Sequence, residues 1–141
     1  MTNDCIFCSI VDGDIPSRTV YESDTVLAFL DANPLAAGHT LAIPKDHHER
    51  LNDTPADVAG DLCAAVHELV PAVEAAVDAP ASTVAFNNGE AAGQEVPHVH
   101  AHVVPRFEDD GGGPIHSLFG QRPDLSDDDL DRIAGAIGEG L

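Results

Sequence analysis

The segment His98-Val99-His100-Ala101-His102-Val103-Val104 alternates imidazoles with small apolar side chains. Successive side chains of a strand point to opposite faces. Read as a strand over 98–105, the segment places His98, His100 and His102 on one face, about 6–7 Å apart along the backbone. Val99, Ala101 and Val103 then enter the core. Imidazole changes charge near neutral pH and can act as nucleophile, acid, base or metal ligand. Three readings are open: exposed surface histidines, a metal site using all three, and phosphoryl chemistry. In the last, a neutral imidazole attacks phosphorus while neighbouring donors hold the charged oxygens. Upstream, Asn87-Asn88-Gly89 and Gly93-Gln94 flank a loop entering this strand. Their amides and backbone N–H groups are neutral donors suited to phosphate oxygens, which favours the third reading.

Working back from the histidines, residues 82–87 read as a further strand. Residues 20–31 read as two short strands turning at Glu22-Ser23-Asp24, and residues 39–44 as another strand, ended by Pro44. Thr54-Pro55-Ala56-Asp57 is a helix start, with Thr54 as cap and Pro55 at the first helical position. Val58, Leu62, Val66, Leu69, Val70, Val73 and Val77 recur at helical spacing. Pro71 inside that pattern predicts a kink or a split. Cys63, in the same stretch, reads as a small core residue. Forward of the histidines, residues 108–124 read as irregular. Ser126 and Asp129 then resemble a capping box before a short amphipathic helix carrying Leu130, Ile133 and Ile137. About five strands with short connections, one long helix and one short helix make an α+β fold with an antiparallel sheet. The 141 residues fit a single domain, 1–141, with 108–141 as a C-terminal extension.

Composition narrows the function classes. There are 25 Asp and Glu against 6 Lys and Arg, a net charge of −19. Such a surface repels nucleic acid. It suits a halophilic chain whose self-repulsion is screened by salt. No apolar run approaches the ~20 residues of a membrane span, and the opening MTNDCIFCSI lacks the features of a signal peptide. A soluble cytoplasmic protein is expected, with no membrane partner. The cysteines number 3, which argues against a disulfide scaffold. Cys5 and Cys8 form a C-x-x-C pair, which fits either a redox pair or half a zinc site. It leads no βαβ helix, so thioredoxin-like chemistry is disfavoured. No G-x-G-x-x-G or P-loop pattern occurs.

The histidine segment resembles the motif of the histidine triad (HIT) family of nucleotidyl hydrolases and transferases. The resemblance extends through Cys5-Ile6-Phe7-Cys8, Gly13-Asp14-Ile15-Pro16, Leu27-Ala28-Phe29-Leu30-Asp31, Gly38-His39-Thr40-Leu41-Ala42-Ile43-Pro44-Lys45, Asn87-Asn88-Gly89, Gly93-Gln94 and Pro105-Arg106, in the family's order. It implies a HIT-like antiparallel sheet and commonly a homodimer. It implies a purine nucleotide substrate: a phosphoramidate of AMP, a nucleotidyl adduct or a dinucleoside polyphosphate. His100 would be the nucleophile at the α-phosphorus, forming a nucleotidyl-histidine that water hydrolyses, with no catalytic metal. His102, Asn87, Gly93 and Gln94 would hold the phosphate, and Asp31 the ribose. Phe29 and Ile6 would wall the base, and His39 would support the triad. Glu95 stands where a small hydroxyl residue is frequent, so the resemblance gives its side chain no phosphate contact. In C-x-x-C members the resemblance implies structural zinc on Cys5, Cys8, His47 and His98, with His48 as the alternative to His47. The competing functions are a non-catalytic nucleotide-binding scaffold of the same fold and a metal-binding regulatory module.

Overall fold

A computed structural model describes residues 4–141. The first three residues of the opening decapeptide, read above for a leader, lie outside the described residues. The chain divides into two compact units, residues 1–110 and 111–141.

The larger unit is built on one antiparallel sheet of five strands: β1 (Thr19–Glu22), β2 (Val26–Leu30), β3 (Thr40–Pro44), β4 (Ala81–Phe86) and β5 (Ala101–Arg106). Their spatial order is β1-β2-β3-β5-β4. The fold is therefore α+β with a five-stranded antiparallel sheet, as the strand spacing predicts. A short helix α1 (Ile6–Val11) and a long helix α2 (Ala56–Val77) complete the unit.

The period of two along the strands sorts side chains between the two faces. On one face Val26, Ala28, Ala42, Ala101 and Val103 meet Leu62, Ala65, Leu69 and Val73 of α2. On the other face Leu27, Phe29, Leu41 and Ile43 pack under Phe7 of α1.

Four local readings are corrected. The predicted strand 98–105 begins only at Ala101. Pro97 offers no N–H, and the N–H groups of His98 and Val99 are taken by the carbonyls of Val96 (2.8 Å) and His48 (2.7 Å) rather than by a ladder. Thr54 does not cap α2. Pro55, with extended ψ of 145°, occupies the N-cap, and the Thr54 hydroxyl donates back to the Arg50 carbonyl at 2.9 Å. Pro71 does not split the helix, which runs unbroken from Ala56 to Val77. Pro71 is exposed, so water can serve the carbonyl that loses its intrahelical donor. Cys63 is exposed rather than buried. It is the residue after Leu62, about 100° round the helix from the buried stripe.

Residues 111–141 hold one 3-10 turn (Ile115–Ser117) and helix α3 (Asp127–Glu139). The Ser126–Asp129 capping box is formed in both directions. Leu130, Ile133 and Ile137 of α3 are 50%, 36% and 62% exposed, so its apolar stripe is not part of a core. No helix of the described residues is long and apolar enough to cross a membrane.

Candidate functional site

The histidines gather on the α1 face of the sheet. β5 pairs with β3 only from Thr40 to Ala42, so Ile43 and Pro44 run on past the start of β5. The Pro44 carbonyl there accepts a hydrogen bond from Nε2 of His98 at 2.8 Å. His98 is fully buried and His100 is 8% exposed. The Phe7 ring stands edge-on to both, with centroids 5.8 Å from His98 and 5.1 Å from His100. His102 pairs directly with Leu41, which places it on the same face. Its ring lies 5.0 Å from that of His100. The shared side expected from the alternation holds, although only His102 belongs to a strand.

A second cluster adjoins the first. The cap of α1 is Cys5, whose sulfur accepts from the backbone N–H of Cys8. The short helix brings both thiols to His98, with Sγ–Nδ1 distances of 3.3 Å from Cys5 and 3.5 Å from Cys8. Cys8 is also 3.3 Å from Nδ1 of His47. One ligand atom from each of Cys5, Cys8, His47 and His98 falls within 4.8 Å of all the others. Tetrahedral zinc, with bonds of about 2.3 Å to sulfur and 2.0–2.1 Å to nitrogen, separates S and N ligands by roughly 3.5 Å. The donor set therefore fits zinc. Because His98 spends its Nε2 proton on Pro44, its Nδ1 lone pair faces the sulfurs, as in a ligating histidine whose other ring nitrogen donates to a carbonyl. Burial is the main reason the His98 imidazole is lowered to about 4, with the Pro44 bond opposing it and His47, His100 and His48 adding to it. It is neutral at pH 7.

The nucleophile candidate is oriented by main chain. Nδ1 of His100 lies 2.7 Å from the carbonyl of His98. A carbonyl only accepts, so Nδ1 carries a proton, and in the neutral ring Nε2 keeps the lone pair. That is the neutral form an attacking imidazole needs.

The 31–39 loop supplies a third set. A turn closes from His39 N–H to the Ala36 carbonyl at 3.0 Å, with Gly38 at φ +92°, the position that favours glycine in a type II turn. It drives His39 inside, to 2% exposure. Nε2 of His39 is 2.9 Å from Nδ1 of His102, and the backbone N–H of Leu35 donates to Nδ1 of His39 at 3.0 Å. Asp31 lies 3.7 Å from Nδ1 of His39, and its other oxygen accepts from Asn33 N–H. Asp31, His39 and His102 are close enough to suggest metal ligands, but the Leu35 amide already occupies one lone pair of His39. Burial lowers the basicity of His39, opposed by Asp31. His102 is lowered to about 4, first by burial and then by His100 and His39.

The loop from 87 to 96 is stitched to the segment from 49 to 52. Gln94 accepts from Gly89 N–H at 2.7 Å and gives both its amide hydrogens to carbonyls, Glu49 at 2.7 Å and Val96 at 3.0 Å. Asn88 accepts from Leu51 N–H at 2.8 Å. Gln94 thus shapes the loop with the donors that sequence reasoning assigns to phosphate. Asn87 and Gly93 are exposed on this loop. Ile6 is 48% exposed and offers surface, whereas Phe29 is 3% exposed and packs edge-on against Phe7 at 5.6 Å. Phe7, the Pro44 carbonyl and the Leu35 amide are the site groups that residue patterns alone did not single out. Two of them are main-chain atoms, which carry no side-chain signal.

A HIT domain model matches residues 12–109. An adenylylsulfatase of Arabidopsis thaliana is 42% identical over 110 residues, covering 78% of this chain and 56% of that protein. The crystal structure of a HIT family member from Bacillus subtilis superposes with a TM-score of 0.89 at 38% identity, covering 99% of this chain and 98% of the other. A zinc-bound histidine triad protein from Mycobacterium smegmatis superposes with a TM-score of 0.73 at 34% identity, covering 96% and 94%. With the family model spanning most of its length and the histidine face built as described, the chain belongs to the HIT domain family.

Proposed function

We propose that the protein is a nucleotidyl hydrolase or transferase acting at the α-phosphate of purine nucleotide derivatives. The observation that carries this reading is the His98 carbonyl holding Nδ1 of His100 at 2.7 Å, which makes Nε2 the attacking nitrogen of the neutral ring. Nε2 attacks the α-phosphorus and the bond to the leaving group breaks. Water then cleaves the P–N bond, releasing the nucleoside monophosphate and restoring the imidazole. His102 and the exposed N–H groups of the 87–96 loop hold the equatorial oxygens. Asn87 belongs to this set; Gly93, whose own N–H is given to the Glu90 carbonyl at 2.9 Å, acts with Gln94 by fixing the loop's shape. Asp31 holds the ribose, Ile6 lines the base with the buried Phe29 packed behind, and His39 supports His102. The similarity to an adenylylsulfatase supports chemistry at an adenylyl phosphorus. The test is trapping with an α-labelled adenylate. Acid-labile, base-stable label is expected on the wild type and none on His100→Ala; label retained on that variant would overturn the assignment.

The Cys5, Cys8, His47 and His98 set is proposed to hold zinc, supported by its donor distances and by the zinc-bound relative. Bound there, the metal would tie α1 to the segment before β5, and no step of the reaction passes through it. A homodimer working in a salt-rich cytoplasm is the reading that the family and the −19 net charge support. The whole chain is read as one family domain with 108–141 as its extension, supported by the 99% coverage against the Bacillus subtilis structure.

A further inference from the structure

The hydrogen bonds from the 31–39 loop leave only one neutral arrangement of protons across two histidines. A backbone N–H can only donate, so Nδ1 of His39 must present its lone pair to Leu35. Neutral His39 then carries its proton on Nε2, which donates to Nδ1 of His102. Neutral His102 in turn carries its proton on Nε2. That atom is buried and has no hydrogen-bond partner among the described residues. A buried N–H without an acceptor is costly, so the fold holds a donor in waiting beside the His100 ring, 5.0 Å away.

We infer that the backbone amide of Leu35 is a positioning group that fixes the tautomer of His102 through His39, so that His102 presents an N–H to an anionic oxygen of the bound phosphate. Leu35 is 79% exposed, and the contact it makes with the site is that of its main chain. Without the amide, His39 can flip its proton to Nδ1, toward the Asp31 carboxylate 3.7 Å away. His39 Nε2 would then accept from His102, and His102 would turn a lone pair on the phosphate. The loop is in this sense a tautomer lock, and Asp31 is the acceptor that favours the wrong state. The part played by phosphate rests on the function proposed above; the tautomers do not.

The experiment reads ring-nitrogen protonation in the full-length protein, labelled with 15N-histidine, by long-range proton–nitrogen correlation at neutral pH. Expected are His39 and His102 protonated on Nε2 and His100 on Nδ1. His102 protonated on Nδ1 in the wild type overturns the inference without any variant. The second arm replaces the Leu35 amide by an ester, using the hydroxy acid of leucine, which deletes the N–H and keeps the side chain. The His39 signals should then move to a mixture of tautomers. AMP should bind about 10- to 100-fold more weakly, the loss of one charge-assisted hydrogen bond. Unchanged tautomers and unchanged AMP affinity in the ester overturn the lock. If AMP fails to bind the wild type, the proposed function falls, while the ligand-free spectra still decide the tautomers.

Discussion

Against α2, Val26, Ala28, Ala42, Ala101 and Val103 form a closed apolar layer. One residue along the same strands, Leu27, Phe29, Leu41 and Ile43 begin a similar layer under Phe7. It gives way to His98, His100 and His102. The first face is held by contacts that any well-shaped apolar side chain can make. The second is held by single hydrogen bonds to named main-chain atoms: Pro44 O, His98 O and Leu35 N–H. The difference teaches that stability and reactivity here are separable by face, and each substitution should reveal which face it touches.

The largest effect is expected at the centre of the histidine face. His100→Ala should abolish the trapped intermediate and lower turnover at least ~1,000-fold, with the far-ultraviolet circular dichroism of the wild type. A variant that loses activity only by unfolding would break the comparison. Leu62→Ala on the α2 face should show the opposite pattern. Leu62 is fully buried, and its truncation should cost about 2–5 kcal/mol in denaturant unfolding. The folded fraction should still accept label.

Zinc lies between these extremes. Cys8→Ser should bind less zinc by elemental analysis and melt at lower temperature, since metal bound only by the native state adds folding free energy. The residual labelling rate per folded molecule should fall by less than ~10-fold. A loss as large as that of His100→Ala would mean that the metal takes part in the chemistry.

A smaller effect should follow pH. Burial holds His102 at about 4, against its ordinary 6.5. Between those values the unfolded chain binds a proton that the native chain does not. The stability is complete above about 6.5 and is lost as pH falls toward 4. Urea midpoints at pH 7 and 4.5 should drop more for the wild type than for His102→Asn, and equal drops would remove His102 from the account. At the smallest end, Cys63→Ala should change stability by no more than ~0.5 kcal/mol. Its thiol is exposed and belongs to neither face.

Periodicity made most of the larger unit legible. The alternation over 98–104 identified the face, and the spacing of Leu62, Leu69 and Val73 identified the buried stripe of α2. Cys63 was misread because its Ala-rich neighbourhood is apolar all round, so hydrophobicity alone does not distinguish the residue beside the stripe from the stripe itself. The strand start was misread because side-chain alternation persists through His98 and Val99 even where the backbone bonds leave the ladder. Helix α1 carried no signal, since its 6 residues are too few for a helical period and its cap is a cysteine sulfur. Gln94 was legible as a donor but not as a loop stitch, because its partners are carbonyls 45 residues away at Glu49 and close by at Val96.

The atom that orients His100 is the carbonyl of His98, not its ring. A carbonyl is present whatever side chain the position bears. Evolutionary drift could therefore erase the cysteines and the ligating imidazole at 98 while leaving the attacking nitrogen at 100 in the same protonation state. On the roles proposed above, metal binding and catalytic competence would be separable traits, one resting on the side chain and the other on the backbone of a single residue.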